Sequence, residues 1–237
     1  MLPTDFDTRF TDADIAAGMA RRFPEMHKAA SGLWEAALAD DALTPRMKEL
    51  VLLGIFASPA GYNQAMVDAQ IDRAVAAGAS PEDAVDVLIS VAGIANHALY
   101  LALPVVEEYF TQEEIADRRD AAALSAVNEA KEEFIRVRGF WNPARDIMGR
   151  TIPEYQLAAG EFSTAATKHG ALTAAEREMI FIAVDASVNH MFEPGLRIHY
   201  ENARKAGLSF REVAAVLKIV GVVGLYSYIR SSARLMR

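Results

Sequence analysis

One spacing recurs along this sequence and constrains its fold more than any other feature. Pro24-Glu25 reappears as Pro153-Glu154, which lies 153 − 24 = 129 positions later, and the two copies align without a gap from Pro24 to Leu88. A repeat of this length predicts two copies of one structural unit. The copies differ at one chemically important position, because the first has Gln70 where the second has His199. Other pairs at the same offset are Ala29-Ala30 and Ala158-Ala159, Leu43-Thr44 and Leu172-Thr173, Glu49 and Glu178, Ala57-Ser58 and Ala186-Ser187, Ala77-Gly78 and Ala206-Gly207, and Ser80 and Ser209.

Helix signals predict an all-α fold. Ser80-Pro81-Glu82-Asp83 is a helix start, and Gly78 ends the helix before it. Ser209 and Gly207 take the same parts in the second copy, and Thr11 is predicted to cap the first helix of the chain. The predicted helices run approximately over Asp12–Arg22, Pro24–Ala39, Thr44–Ala57, Tyr62–Ala77, Ser80–Leu103, Asp120–Arg138, Pro153–Lys168, Thr173–Ser187, Glu193–Ala206 and Ser209–Met236.

The repeat divides the chain into four segments. Residues 1–23 form an N-terminal helical extension, 24–110 the first repeat, 111–152 a connecting helix and loop, and 153–237 the second repeat. Each repeat has more apolar surface than about 85 residues can cover. We therefore expect a tandem duplicated helical unit whose halves pack face to face around a pseudo-twofold axis, and further association into a homo-oligomer, a trimer or dimer.

Composition excludes several classes of function. The formal net charge is −8, so no basic surface for nucleic acid or an anionic membrane is expected. The chain has no cysteine, which removes disulfides, thiolate metal sites and thiol catalysis. The apolar stretches Ala84–Val106 and Val213–Ile229 are interpreted as helices in a core or subunit interface and not as membrane spans. The first ten residues lack a secretory signal pattern, so the expected location is the cytoplasm.

The order of polar and small residues in both copies resembles a known family. The second copy has Leu172-Thr173, then Glu178, then His199 followed by Ala203, Gly207 and Ser209; the first has Leu43-Thr44, Glu49, Gln70, Ala74, Gly78 and Ser80. This pattern resembles the carboxymuconolactone decarboxylase and alkylhydroperoxidase-D-like superfamily. The resemblance covers both repeats and implies an all-α fold with sites between helices.

The resemblance implies one of two chemistries. The peroxidase branch of the superfamily uses a Cys-x2-Cys-x3-His motif, but Phe192 and Gly195 stand at the matching positions before His199, and Asn63 and Met66 in the first copy. Because the thiolate is the nucleophile in that branch, peroxidase activity is excluded. The expected function is that of a cofactor-free lyase, a decarboxylase, or an isomerase on a small carboxylated or lactone substrate. The alternative is a non-catalytic small-molecule-binding or assembly protein on the same scaffold.

Glu178 and His199 are the candidate catalytic residues. A glutamate beside an imidazole can hold one proton near neutral pH, which suits general acid/base catalysis. Glu49 is retained in the copy without the histidine, so Glu178 is also open to a purely structural interpretation.

Other residues are candidates for binding the substrate. Arg197 or Arg230 would hold a carboxylate and His190 would assist, although a surface pair between Glu193 and Arg197 is the alternative. No metal is expected, because the spacing of His190, Glu193 and His199 matches no regular helical ligand pattern.

Two aromatic regions complete the candidate site. His97 and Tyr226 correspond at the same offset and are expected either to face a shared cavity or to be satisfied core residues. Trp141, on the loop between the repeats, is expected to be a lid, an interface anchor or a hydrophobic plug.

Overall fold

The computed structural model describes residues 5–61, 63–117 and 120–236. These residues contain fourteen α-helices and no strand, which confirms the predicted all-α fold. Tyr62, the predicted start of the fourth helix, lies outside the described residues. The helices are α1 (Ala13–Arg22), α2 (Pro24–Leu38), α3 (Pro45–Ala57), α4 (Gln64–Ala76), α5 (Pro81–Ala92), α6 (His97–Tyr109), α7 (Gln112–Asp117), α8 (Ala121–Arg138), α9 (Ala144–Thr151), α10 (Pro153–His169), α11 (Ala174–Ala186), α12 (Glu193–Lys205), α13 (Phe210–Val222) and α14 (Leu225–Leu235).

Helix boundaries in the two halves fall at the offset of 129 residues. Helix α11 begins 129 residues after α3 begins and ends 129 residues after α3 ends. The same is true of α12 and α4. The correspondence also holds before Pro24, because α1 ends at Arg22 and α9 ends at Thr151. Helix α9 therefore occupies in the second half the place of α1 in the first.

The helix ends are set by the residues that the caps require. Thr44 and Thr173 accept hydrogen bonds from backbone amides at the starts of α3 and α11, and Gly78 and Gly207 end α4 and α12 in the left-handed region, with φ of 97° and 85°. The prediction that Thr11 caps the first helix is wrong. Asp12 is the cap, because its carboxylate accepts from the amide of Asp14 at 2.8 Å.

Two long helices predicted from apolar runs are interrupted in the structure. In the first half a 3-10 turn over Gly93–Asn96 separates α5 from α6. The Asn96 side chain stabilises this turn, because its amide donates to the Gly93 carbonyl at 3.1 Å and its oxygen accepts from the Tyr155 hydroxyl at 3.0 Å. In the second half a turn at Gly224 separates α13 from α14. After the first of these breaks, α6 begins at His97.

Helices α3 and α11 form the centre of the core. They are buried almost throughout, and they approach so closely that a Cβ atom added at Gly54 would lie 2.8 Å from Cγ2 of Ile180. Burial extends to three carboxylates on these helices, which are Glu49 on α3 and Glu178 and Asp185 on α11. Since a buried carboxylate must be paired or bonded, these three residues mark places where the core has a polar partner or a function.

Ion pairs join the two halves around this core. Arg177 on α11 bonds Asp86 on α5, with 2.7 Å between Nη2 and Oδ2, and both side chains are buried. Arg46 on α3 bonds both Asp83 and Glu176, each at 2.5 Å, and it lowers the pKa of the Asp83 carboxyl. The pairs Arg177–Asp86 and Arg46–Glu176 cross from one repeat to the other, whereas Arg46–Asp83 links α3 to α5 within the first repeat.

The two apolar stretches are long enough to cross a membrane by composition, as Pro81–Tyr109 and Phe210–Leu235, but two such stretches are weak support for a membrane protein. About a third of each is buried within the chain (33 % of the most apolar window). Large apolar side chains on them remain exposed, including Val85, Leu101, Val105 and Phe210.

Candidate active site

Glu178 and His199 form a buried hydrogen-bonded pair. Helix α11 places Glu178 in the core, and α12, which packs on α11, carries His199 opposite it, with 2.7 Å between Nδ1 and Oε2. Phe181 stacks on the imidazole with 4.7 Å between ring centroids. An ionised carboxylate can only accept, so Nδ1 carries a hydrogen and Nε2 is left to exchange a proton. This is the arrangement of an oriented general acid or base.

His199 opens onto a cavity between the two halves of the chain. The cavity measures about 640 Å³ when its open mouth is included, and Ile89, Ile94, Phe162 and Phe181 form much of its apolar wall. His97 also lines it. An apolar pocket with a few converging polar groups is the usual form of a small-molecule site.

Two arginines face the same cavity and have no carboxylate partner in the described part of the chain. The Arg138 guanidinium donates to the Ser163 carbonyl at 2.8 Å, and its burial among aromatic rings lowers its pKa to about 10. Arg145 is buried and donates to the Ser163 hydroxyl at 3.1 Å, while its Nη1 has no hydrogen-bond partner among the described residues. Burial likewise lowers the pKa of Arg145. An arginine in such a place favours an anionic ligand, because carboxylates match its fork of donors.

The first repeat uses the equivalent residues differently. Arg9 corresponds to Arg138 at the offset of 129, and it bonds Glu49 through two contacts of 2.5 and 2.8 Å. Gln70, the counterpart of His199, donates to the same carboxylate at 2.5 Å. Burial alone would lower the pKa of Arg9, but Glu49 raises it overall. The first copy thus neutralises its glutamate internally, whereas the second pairs its glutamate with a histidine and leaves Arg138 available.

A third polar group lies at the inner side of the cavity, around Asp185. This residue is completely buried, and neither of its carboxylate oxygens has a hydrogen-bond partner in the described structure. His97 Nδ1 and His190 Nε2 each lie 3.4 Å from Oδ1, and His199 Nε2 lies 3.7 Å from Oδ2. The rings of His97 and His190 also meet, with 3.0 Å between Nδ1 and Nε2.

The other predicted site residues lie elsewhere. Arg197 is exposed and bonds Glu193, which is the surface pair that the sequence left as an alternative. Tyr226 packs in the core against Trp34 and Phe56 on the first-repeat side, where burial raises its pKa to about 12.

Two more predicted residues are also outside the cavity. Arg230 lines surface hollows beside Tyr226 and not the cavity at His199. Trp141 is half-buried, donates to Asp146 at 3.1 Å and packs on Phe134. Its neighbour Phe140 reaches the cavity wall instead.

Sequence reasoning missed Arg138, Arg145 and Asp185. Arg138 could have been found by extending the repeat upstream of Pro24, because Arg9 stands at the matching position. Asp185 could have been noticed because it is a charged residue within an apolar helix, at a position where the first copy has Phe56. Arg145 corresponds to Ala16, and no repeat signal marks it.

Comparison with known proteins agrees with this architecture. Residues 153–237 match the sequence model of the Carboxymuconolactone decarboxylase family. None of the proteins with curated functions matches the chain significantly. A crystal structure from Burkholderia xenovorans LB400, described as a candidate gamma-carboxymuconolactone decarboxylase subunit, is similar over 97 % of this chain and 92 % of that chain, with 25 % sequence identity and a TM-score of 0.84. The second repeat thus has the sequence pattern of the carboxymuconolactone decarboxylase family, and the chain along its whole length has the fold of a carboxymuconolactone decarboxylase-like protein.

Proposed function

We propose that this protein is a decarboxylase-like lyase that acts on a small carboxylated lactone. One observation carries the proposal: the Glu178–His199 pair and two arginines without carboxylate partners in the described chain share one cavity. A pair that moves a proton supplies the chemistry, and two cations supply the recognition of a carboxylated substrate.

The proposed reaction assigns a separate task to each group. Arg138 and Arg145 hold carboxylate or lactone oxygens of the substrate. When the C–C bond to the reacting carboxylate breaks, CO2 leaves and the electron pair passes into the ring as an enolate. The protonated His199 then donates the proton from Nε2 to the enolate carbon, and Glu178 holds Nδ1. The arginine charges stabilise the enolate oxygen as charge develops on it.

Turnover of carboxylated lactones tests this function directly. The purified protein is incubated with gamma-carboxymuconolactone and with lactones that lack the carboxylate, and CO2 release and loss of the lactone are followed together. We expect equimolar CO2 and lactone loss with the carboxylated compounds only. Tight binding of the lactone without CO2 release would favour the non-catalytic binding protein, and neither binding nor turnover across the series would refute the proposal.

Replacing Arg145 with methionine is expected to raise KM for the substrate by roughly 10- to 100-fold, the equivalent of losing one charge-assisted hydrogen bond of about 1.5–3 kcal/mol. The measurement is steady-state kinetics on the substrate that the turnover assay identifies. The matched control is Arg197→Met, which removes an exposed arginine outside the cavity and should change KM less than about twofold. Equal effects of the two substitutions would place the carboxylate elsewhere.

We also propose that the chain works as a homo-oligomer in the cytoplasm, with neither nucleic acid nor membrane as partner. The large apolar side chains that α5, α6 and α13 leave exposed support the association, because a second chain would remove them from water. Sedimentation should give a multiple of the 25.8 kDa chain mass, and Leu101→Glu should shift it toward one chain. A wild-type protein that stays monomeric at micromolar concentration would contradict this.

A further inference from the structure

The cluster around Asp185 has the geometry of a metal-binding site. The three atoms His97 Nδ1, His190 Nε2 and Asp185 Oδ1 form a triangle with sides of 3.0, 3.4 and 3.4 Å. Ligands bound about 2.0–2.2 Å from one ion lie roughly 3.3–3.6 Å apart on a tetrahedron and about 2.8–3.1 Å apart on an octahedron. The observed triangle therefore has the size of one face of a first-row metal coordination shell.

The charges in this cluster are incomplete without a cation. A fully buried carboxylate is costly unless it is paired or bonded, yet neither oxygen of Asp185 accepts a hydrogen bond from the described residues.

The surroundings hold these groups in place. Phe192 stacks on His97 with 4.0 Å between ring centroids. A Cβ atom at Gly195 would lie 2.0 Å from Asp185 Oδ2, so only glycine leaves room for the carboxylate. The turn that carries His190 contains Met191 with φ of 46°, a left-handed conformation that a non-glycine residue adopts only at a cost.

The repeat shows that the cluster is not a general requirement of the fold. At the offset of 129, the first half has Phe56 in place of Asp185 and Gly61 in place of His190. The counterpart of His97 in the second half is Tyr226, which packs on Phe56 with 4.6 Å between ring centroids. The fold therefore accepts a packed aromatic pair, Phe56 and Tyr226, at the positions that match Asp185 and His97. The ionisable cluster is not needed for packing, which favours a function for it.

We propose that His97, His190 and Asp185 bind one divalent first-row transition-metal ion at the inner side of the cavity, and that Zn²⁺ fits the site. Two imidazoles and one carboxylate are a ligand set that such ions accept, with further positions left open, whereas Mg²⁺ and Ca²⁺ prefer oxygen. The other oxygen, Oδ2, faces His199, so that residue remains with Glu178. This inference goes beyond the proposed function and does not rest on it.

The sequence analysis predicted no metal because it considered only His190, Glu193 and His199, which have no regular helical spacing. His97 begins α6 in the first half, whereas Asp185 and His190 lie at and just after the end of α11 in the second. No helical ligand pattern connects them, and only the contact between the halves brings them together.

Metal binding by the whole protein tests the proposal without an activity assay. A tag-free protein is stripped with a chelator and titrated with Zn²⁺ against a chromogenic competitor, with Mg²⁺ as comparison ion. We expect one Zn²⁺ per chain, and at least 100-fold weaker binding in Asp185→Asn and in His190→Gln. The matched control His169→Gln removes an exposed histidine and should leave affinity unchanged. Visible absorption of the Co²⁺-loaded protein distinguishes a tetrahedral site from an octahedral one.

Three results would overturn the site: no Zn²⁺ binding to the wild type at micromolar concentrations, binding that survives in both ligand variants, or equal loss of affinity in His169→Gln. If Asp185→Asn does not fold, the zinc affinity of His190→Gln decides whether the site exists, because His190 lies in a surface turn where a substitution disturbs the core least. Failure of metal binding with intact lactone turnover would refute only the metal site, and the reverse result would refute only the decarboxylase.

Discussion

Replacing His199 with glutamine is expected to lower kcat by roughly 10²- to 10⁴-fold while the protein stays folded. The size of the loss is that of removing one positioned general acid or base. Retention of the fold is expected because the first repeat already contains the substituted arrangement: Gln70 at the matching position bonds Glu49 at 2.5 Å. In the variant the glutamine amide is thus expected to bond Glu178 without carrying a proton to the substrate.

The measurement is kcat for lactone decarboxylation together with the midpoint of thermal unfolding. His169→Gln is the control, because it removes an imidazole from an exposed position on α10. An unchanged kcat in His199→Gln would eliminate the proposed proton transfer. A large fall in the unfolding midpoint would show instead that the pair is structural, as the sequence left open.

Replacing Arg9 with methionine is expected to reduce the free energy of unfolding by about 3–5 kcal/mol. This is the usual cost of removing one partner of a buried ion pair, since the other charge remains buried without compensation. Arg9 and Glu49 are both buried, and Arg9 makes two hydrogen bonds to the carboxylate. Denaturant unfolding, followed by fluorescence and circular dichroism, gives the difference.

The counterpart Arg138→Met provides the matched comparison. Arg138 forms no ion pair within the described chain, so its loss should change the free energy of unfolding by about 1 kcal/mol, the value of its hydrogen bond to Ser163. The double variant Arg9→Met with Glu49→Gln should recover part of the loss, because it removes the uncompensated charge. Equal destabilisation by Arg9→Met and Arg138→Met would contradict the assignment of a structural role to one and a binding role to the other.

These two predictions assign different roles to matching residues of the two repeats. Each half has an arginine and a glutamate at matching positions, and each has a residue that bonds the glutamate, which is Gln70 in one and His199 in the other. In the first half all three groups satisfy one another. In the second half the histidine bonds the glutamate instead, so the arginine faces the cavity and a proton carrier is present. A single exchange of glutamine for histidine thus separates a structural network from the one that we propose to be catalytic.

The all-α class, most of the helix boundaries and the Glu178–His199 pair could be predicted from the amino-acid sequence. These follow from signals that act over a few residues, such as the capping threonines and serines and the glycines at helix ends, and from comparison of the two copies at one offset. Even the local signals failed where a side chain reached across the fold, because Tyr155 stabilises the turn at Asn96 that divides a predicted helix.

The residues around that pair depend on how the helices pack. Packing brings Arg138 and Arg145 to the cavity, places Asp185 behind His97 and His199, which line it, and leaves Arg197 and Tyr226 outside. The physical reason is that a side chain's position depends on where helices cross and which way each is turned, and those contacts join residues as far apart as His97 and Asp185. Local backbone preferences carry no information about such contacts, so the ligands of a site assembled from both halves become visible only once the halves are packed together.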